Sequence, residues 1–181
     1  MKIAITGHTA GIGQALAKVF ISQGHEIVGL SRRTGQNIRN ISAACDLIES
    51  CDMFVNNAQV GYAQSELLFE MARRWTGTRK HIVIISTMMT QTPVSTIPGL
   101  EMTAYRSQKV ALEEAVQQLR SQRLKINFTV VRPGNIATDP TKTVPPSADV
   151  DNWAQTLITM LDLAQTNHLI IPDISLGPAR Q

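Results

Sequence analysis

A phenol and an ammonium stand four residues apart at Tyr105 and Lys109, in a stretch whose apolar spacing predicts a helix over residues 103–122. Four apart on a helix means one face, one turn apart. Such a pair suits proton transfer. A phenol is a feeble acid, with a reference pKa near 10, and a neighbouring positive charge favours its phenolate and lowers that value. Ser86 and Thr87 add two hydroxyls that can hold an oxygen as it gains charge. They follow residues 81–85, an apolar run that reads as a central strand, so both hydroxyls stand at its carboxyl end.

A binding element precedes them. Residues 2–6 are short, apolar and β-branched, which predicts a buried strand. Gly7, Gly11 and Gly13 follow with Thr9 and Ile12 among them, and then Leu16, Val19 and Phe20 set a helical period. Strand, glycine turn and helix make the geometry of a dinucleotide site. One glycine permits the sharp turn, a second lets backbone approach a pyrophosphate, and a third lets helix and strand pack closely. The first-turn N–H groups and the helix dipole then favour the anion. The second strand is expected at residues 26–30, with Ser31, Arg32 and Arg33 at its carboxyl end. An acid there would suit the ribose hydroxyl of NAD, whereas guanidinium suits the 2′-phosphate of NADP. No acid is present, so NADP is the expected cofactor, with NAD as the second choice.

Segments alternate between strand and helix patterns along the whole chain. This predicts an α/β fold: a Rossmann-like, doubly wound, mainly parallel sheet of about six strands flanked by helices, with residues 1–181 forming a single domain. The stretch between the second strand and a helix at residues 41–49 is too short for a full crossover. A helix and a strand are expected to be trimmed there, with Asn37 and Ile38 as the remnant and Asn37 a candidate contact for adenine. Residues 51–55 read as another strand. Asn56, Asn57, Ala58 and Gln59 then face the ligand crevice at its end. A helix follows at 64–75, with the stripe Leu67, Leu68, Met71 and Trp75. Residues 88–102, rich in methionine, are a natural substrate lid. The helix at 103–122 carries the stripe Ala104, Val110, Ala111, Ala115 and Leu119. A strand at 126–131 ends in Arg132, Pro133 and Gly134. The proline-bearing segment 140–146, a helix at 153–163 and a strand at 169–171 complete the chain.

The bulk properties exclude several classes. The hydrophobic fraction of 43% and the charge content of 17% are ordinary for a globular protein. No run is long and apolar enough for a membrane span, and the N-terminus reads as core strand rather than signal peptide. A net charge of +3 with dispersed basic pairs and only 4% aromatics argues against nucleic acid. Cys45 and Cys51 have no metal-ligand companions, so no metal is expected and the thiols fit a cytoplasmic setting.

Taken in order, Gly7/Gly11/Gly13, Asn56-Asn57-Ala58, Ser86-Thr87 and Tyr105-x-x-x-Lys109 resemble the short-chain dehydrogenase/reductase family. Pro133-Gly134 with Ile136 and Thr138 resembles its Pro-Gly-x-x-x-Thr segment. The resemblance covers residues 1–139. It implies NAD(P)H-dependent hydride transfer between a carbonyl and an alcohol, with Tyr105 as general acid/base. Lys109 would activate Tyr105 and hold the nicotinamide ribose. Thr87 takes the family's serine position, and Ile136 and Thr138 would hold the carboxamide. Three departures stand out. Gln59 replaces a glycine. The chain between Ala58 and Ile82 is shorter than the family's and lacks its fourth catalytic group, an asparagine, leaving Gln59 or Gln64 as relay candidates. The gap from Thr87 to Tyr105 is longer. A cofactor-binding redox sensor or scaffold with weak or no catalysis is therefore the alternative. A nucleotide-sugar epimerase or dehydratase ranks last, because the C-terminal part leaves little room for such a substrate. The partners implied are a small carbonyl or alcohol and a second copy of the chain, as a homodimer or homotetramer formed through the helices at 64–75 and 103–122.

Overall fold

A computed structural model describes residues 1–91, 102–139 and 146–179. The chain runs β1 (Lys2–Thr6), α1 (Gly11–Ser22), β2 (Glu26–Leu30), α2 (Ile41–Ile48), β3 (Met53–Asn56), α3 (Ala63–Arg74), β4 (His81–Ile85), α4 (Met102–Ser121), β5 (Asn127–Pro133), β6 (Ile136–Ala137), β7 (Ala148–Asp149), α5 (Val150–Thr166) and β8 (Asp173–Leu176). Six strands form one sheet in the order β2-β1-β3-β4-β5-β8, and every pairing in it is parallel. The expected α/β fold and strand number are borne out. β6 and β7 pair separately.

Side chains along a strand alternate between faces. Ile3 and Ile5 pack on one side with Leu16 and Phe20 of α1 and Trp153 and Leu157 of α5. Ala4, Phe54 and Ile82 pack on the other with Ile48, Leu67, Met71 and Val116 from α2, α3 and α4. Both faces are covered, which is why the strands read as continuous apolar runs. Phe54 and Ile82 are 0% exposed, and burying each stabilises the fold by ~1.5–3 kcal/mol.

The direction of strand addition reverses between β1 and β3: β2 lies to one side of β1, and β3, β4 and β5 to the other. A ligand crevice opens at such a switch point, outside the carboxyl ends of the strands. The glycine turn after β1 and the Asn57-Ala58 segment after β3 both end there.

Three expectations are corrected. Asn37 and Ile38 are not a strand. Asn37 Oδ1 accepts from Arg39 N at 3.1 Å, closing a local turn, while Ile38 sinks into the core, so β2 is an edge. The last strand begins at Asp173, not Leu169. Leu169 N still bonds Ala164 O at the end of α5, and register with β5 begins at Val130 and Asp173. The apolar stripe of α4 is rotated from the expected one: Lys109, Leu112, Ala115, Val116 and Leu119 are buried, while Val110 is 40% exposed. Most of the lid segment 88–102 and of the segment 140–146 lies outside the described residues.

Candidate active site

The glycine turn is built as close packing requires. Gly7 and Gly11 have φ of +74° and +53°, the left-handed region that side chains avoid. A Cβ on Gly13 would lie 2.4 Å from Gly7 O and 2.7 Å from Asn57 Nδ2. α1 has no side-chain cap from Ala10 and no acid in its first turn. Its opening N–H groups are thus left for an anion. Ala10, Gly11, Ile12, Asn57, Thr138 and Asp139 line a cavity of ≈ 500 Å³ at this turn. A cradle that a methyl group would fill, with uncapped amides, fits a dinucleotide pyrophosphate.

Thr6 ties the turn to β3. Its Oγ1 accepts from Asn57 N and Ala58 N, each at 2.9 Å, and Asn57 Nδ2 donates to Thr6 O at 2.9 Å. Asn57 therefore braces the floor of the crevice. At the end of β2, the hydroxyls of Thr9 and Ser31 are 2.8 Å apart, and Arg33 Nη1 donates to Thr9 O at 3.4 Å. Arg32 and Arg33 stand in an exposed 3₁₀ turn and pair with no acid among the described residues. Asn37 is exposed, its amide oxygen occupied by its own turn.

Tyr105, Lys109 and Thr87 are brought together. Thr87 faces the Tyr105 phenol in the sense that favours the phenolate, while its Oγ1 accepts from Met89 N at 3.3 Å. Lys109 Nζ lies 5.8 Å from the Tyr105 ring centroid. It donates to Gln64 Oε1 at 2.9 Å and Ile85 O at 2.7 Å. Lys109 is 3% exposed. Burial pulls its proton affinity down to about 7, against the pull of Glu113 in the other direction. The expected lowering of the Tyr105 pKa is corrected. Burial pushes the phenol up, Thr87 partly offsets this, and Lys109 is turned towards Gln64 and Ile85.

Gln64 is the junction beneath this group. Its Nε2 donates to Asn56 O at 2.7 Å and Ile85 O at 3.1 Å, and its backbone oxygen accepts from Asn56 Nδ2 at 2.9 Å. Gln59, in the glycine position, reaches α4 and bonds Gln108.

Ser86 does not join Tyr105. Its hydroxyl donates to Glu113, which also accepts from Thr90 Oγ1 at 2.8 Å and from Arg132 Nε and Nη2 at 2.9 and 2.7 Å. Sequence reasoning passed over Glu113, although its place four residues after Lys109 put it on the same helical face. Beyond β5, Pro133 is buried and a Cβ on Gly134 would lie 2.9 Å from Gly177 Cα and 3.1 Å from Met88 Sδ. Ile136 packs against the core shared with α1 and α5. Thr138 lies across from Gly11, its Cβ 3.4 Å from where a Cβ there would stand.

Residues 3–67 match the NAD dependent epimerase/dehydratase family, a span that holds the glycine turn and not Tyr105 or Lys109. No curated protein matches the sequence. Among solved structures, serine dehydrogenase from Escherichia coli superposes with a TM-score of 0.74 at 17% identity, over 100% of this chain and 99% of that one. An alcohol dehydrogenase from Thermococcus sibiricus, complexed with 5-hydroxy-NADP, gives 0.74 at 15% identity over 99% and 97%. The 3-ketoacyl-(acyl-carrier-protein) reductase from Brucella melitensis, complexed with NADH, gives 0.75 at 15% identity over 97% and 96%. The fold that the resemblance to short-chain dehydrogenases implied is thereby borne out.

Proposed function

We propose that this chain is an NADP(H)-dependent oxidoreductase that interconverts a carbonyl and an alcohol. The observation that carries the reading is the grouping of Tyr105 with buried Lys109, 5.8 Å from its ring centroid, and with Thr87, on the rim that the glycine turn shares. Gly7, Thr9, Gly11, Ile12 and Gly13 would cradle the pyrophosphate. Ser31, Arg32 and Arg33 would meet the 2′-phosphate, and Asn37 the adenine. Asn57, Ala58 and Gln59 would lie along the cofactor, and Pro133, Gly134, Ile136 and Thr138 against its carboxamide. When bound, the nicotinamide supplies or accepts the hydride. Tyr105 delivers a proton to the carbonyl oxygen in reduction and removes it in oxidation. Thr87 holds that oxygen. Lys109 holds the ribose hydroxyls.

NADPH should raise the melting temperature more than NADH, because a ligand of the folded state stabilises it. Equal shifts would remove the role given to Arg32 and Arg33. Tyr105→Phe should abolish carbonyl reduction yet keep the NADPH shift, and surviving turnover would sink the acid/base assignment.

A binder without turnover is the second reading. It is favoured by two observations: burial pushes the phenol up rather than down, and Lys109 donates to Gln64 and Ile85 rather than to the phenol. A second copy of the chain is the proposed partner. The outward faces of α3 and α4 carry Phe69 and Val110, 46% and 40% exposed. Buried free Cys45 and Cys51 support a reducing, cytoplasmic setting. No helix among the described residues is long and apolar enough to cross a membrane.

A further inference from the structure

Glu113 lies one turn beyond Lys109 on α4, so Tyr105, Lys109 and Glu113 share one stripe. Both of its carboxylate oxygens are occupied. One takes the hydroxyls of Ser86 and Thr90, and the other takes Arg132 through two N–H groups. Arg132 continues to Asp173 at 2.9 Å, and Asp173 to Arg120 at 3.1 Å. The Glu113 and Arg132 side chains are only 16% and 10% exposed. Sheltered ion pairs are weak contributors to stability, because desolvation offsets the attraction. This one instead spans three elements around Lys109.

We propose that Glu113 is a positioning residue of the carbonyl–alcohol reaction: its carboxylate clamps the Ser86–Thr90 turn so that Thr87 meets Tyr105, and its charge acts on Lys109 along the helix. The inference rests on the roles proposed for Tyr105, Thr87 and Lys109. The clamp explains which of two adjacent hydroxyls is available. Ser86 is bound to the carboxylate, and Thr90 anchors the turn from its far end. Arg106 reinforces it, donating from Nε to Met89 O at 3.0 Å and from Nη2 to Thr90 O at 3.4 Å.

The electrostatic half has few contributors among the described residues. Tyr105 and Glu113 face Lys109 from its own helix, α3 presents the neutral Gln64, and β4 presents the Ile85 carbonyl. Arg132 of β5 and Asp173 of β8 stand behind Glu113. The carboxylate holds the Lys109 proton affinity up against burial. Without that charge, the ammonium loses its proton at lower pH.

Titration of lysine ¹³Cε resonances by NMR tests this without any substrate. The parent should show one lysine with a midpoint at about 7, absent in Lys109→Met. In Glu113→Gln that midpoint should fall by roughly one pH unit, and an unmoved or higher midpoint overturns the electrostatic role. With NADPH and 4-nitrobenzaldehyde, the basic limb of the kcat profile should move to lower pH, while KM for NADPH stays within about twofold. A limb that stays in place overturns the proposal as well. Should the parent not reduce this aldehyde, the oxidoreductase reading takes the loss, and the NMR midpoint still decides the influence of Glu113 on Lys109. If Glu113→Gln does not fold, Glu113→Asp keeps the charge but withdraws it from Ser86 and Thr90. Lys109 should then titrate near the parent value while kcat falls roughly tenfold, and a parent-like kcat overturns the clamp.

Discussion

Lys109 should make the protein more stable as pH rises above neutrality. Folded, its value is about 7, against 10.5 for an ordinary lysine. Between those values the unfolded chain binds a proton that the folded chain does not, so stability increases with pH across that window. From pH 7 to 8.5 this one group contributes a gain of ~1.5 kcal/mol. Lys109→Met abolishes the titration while keeping most of the volume. Urea unfolding at the two pH values reads the difference. With a slope of ~2 kcal/mol/M, the parent midpoint should rise by ~0.7 M relative to the change in Lys109→Met. Cys45 and Cys51 act in the opposite sense at higher pH, because burial raises both thiols. They are common to parent and variant and cancel in the comparison. Equal pH dependence of the two proteins would mean that Lys109 keeps its ammonium in the folded chain, and the burial argument would fail.

Gly13→Ala puts a methyl group 2.4 Å from Gly7 O. Overpacking should cost ~1–3 kcal/mol despite the better helix propensity of alanine, and the NADPH-induced melting shift should disappear; a parent-like shift would remove the close-packing role of the turn. Thr6→Val deprives the Asn57 and Ala58 amides of their acceptor. A loss of ~2–4 kcal/mol in urea unfolding is expected, and no loss would mean that the amides find another partner. His81, held neutral by burial down to about 4 rather than 6.5, should cost stability on acidification. The unfolded chain takes the proton first, so up to ~3 kcal/mol is lost as pH falls through that window. A parent and His81→Gln with the same acid midpoint would contradict this.

The parts of the site that depend on backbone were legible in the sequence. Gly7, Gly11 and Gly13 advertise a turn because only glycine fits there, and strand runs such as residues 81–85 advertise double burial by their unbroken apolarity. The direction of side chains was harder to read. Ser86 and Thr87 are adjacent hydroxyls, and nothing local says which turns to Tyr105; that is decided by Glu113, reached only once α4 packs on β4. Val110 looked like core because the small residues around it left the helical phase open, and the buried Lys109 set that phase instead. The charge argument from Tyr105-x-x-x-Lys109 assumed an ammonium aimed at the phenol. Carbonyl acceptors on a neighbouring strand and an amide on α3 turned it elsewhere, a tertiary effect that spacing along one helix cannot carry.

The short connection between β3 and β4 bears on whether Gln59 or Gln64 could act as a relay in the proposed reaction. Because α3 starts at Ala63, soon after Ala58, its first turn lies directly beneath the ends of both strands. Gln64 there uses both N–H bonds on Asn56 O and Ile85 O and gives its oxygen to Lys109. An amide with both donors committed has none left to pass a proton onward. It acts as a bracket rather than a relay. Gln59 spends one of its two N–H bonds on Gln108. An ammonium has three donors, and among the described residues Lys109 has two acceptors. The third direction is what a ribose hydroxyl would take, so the same contacts that keep Lys109 from the phenol leave it prepared for a cofactor.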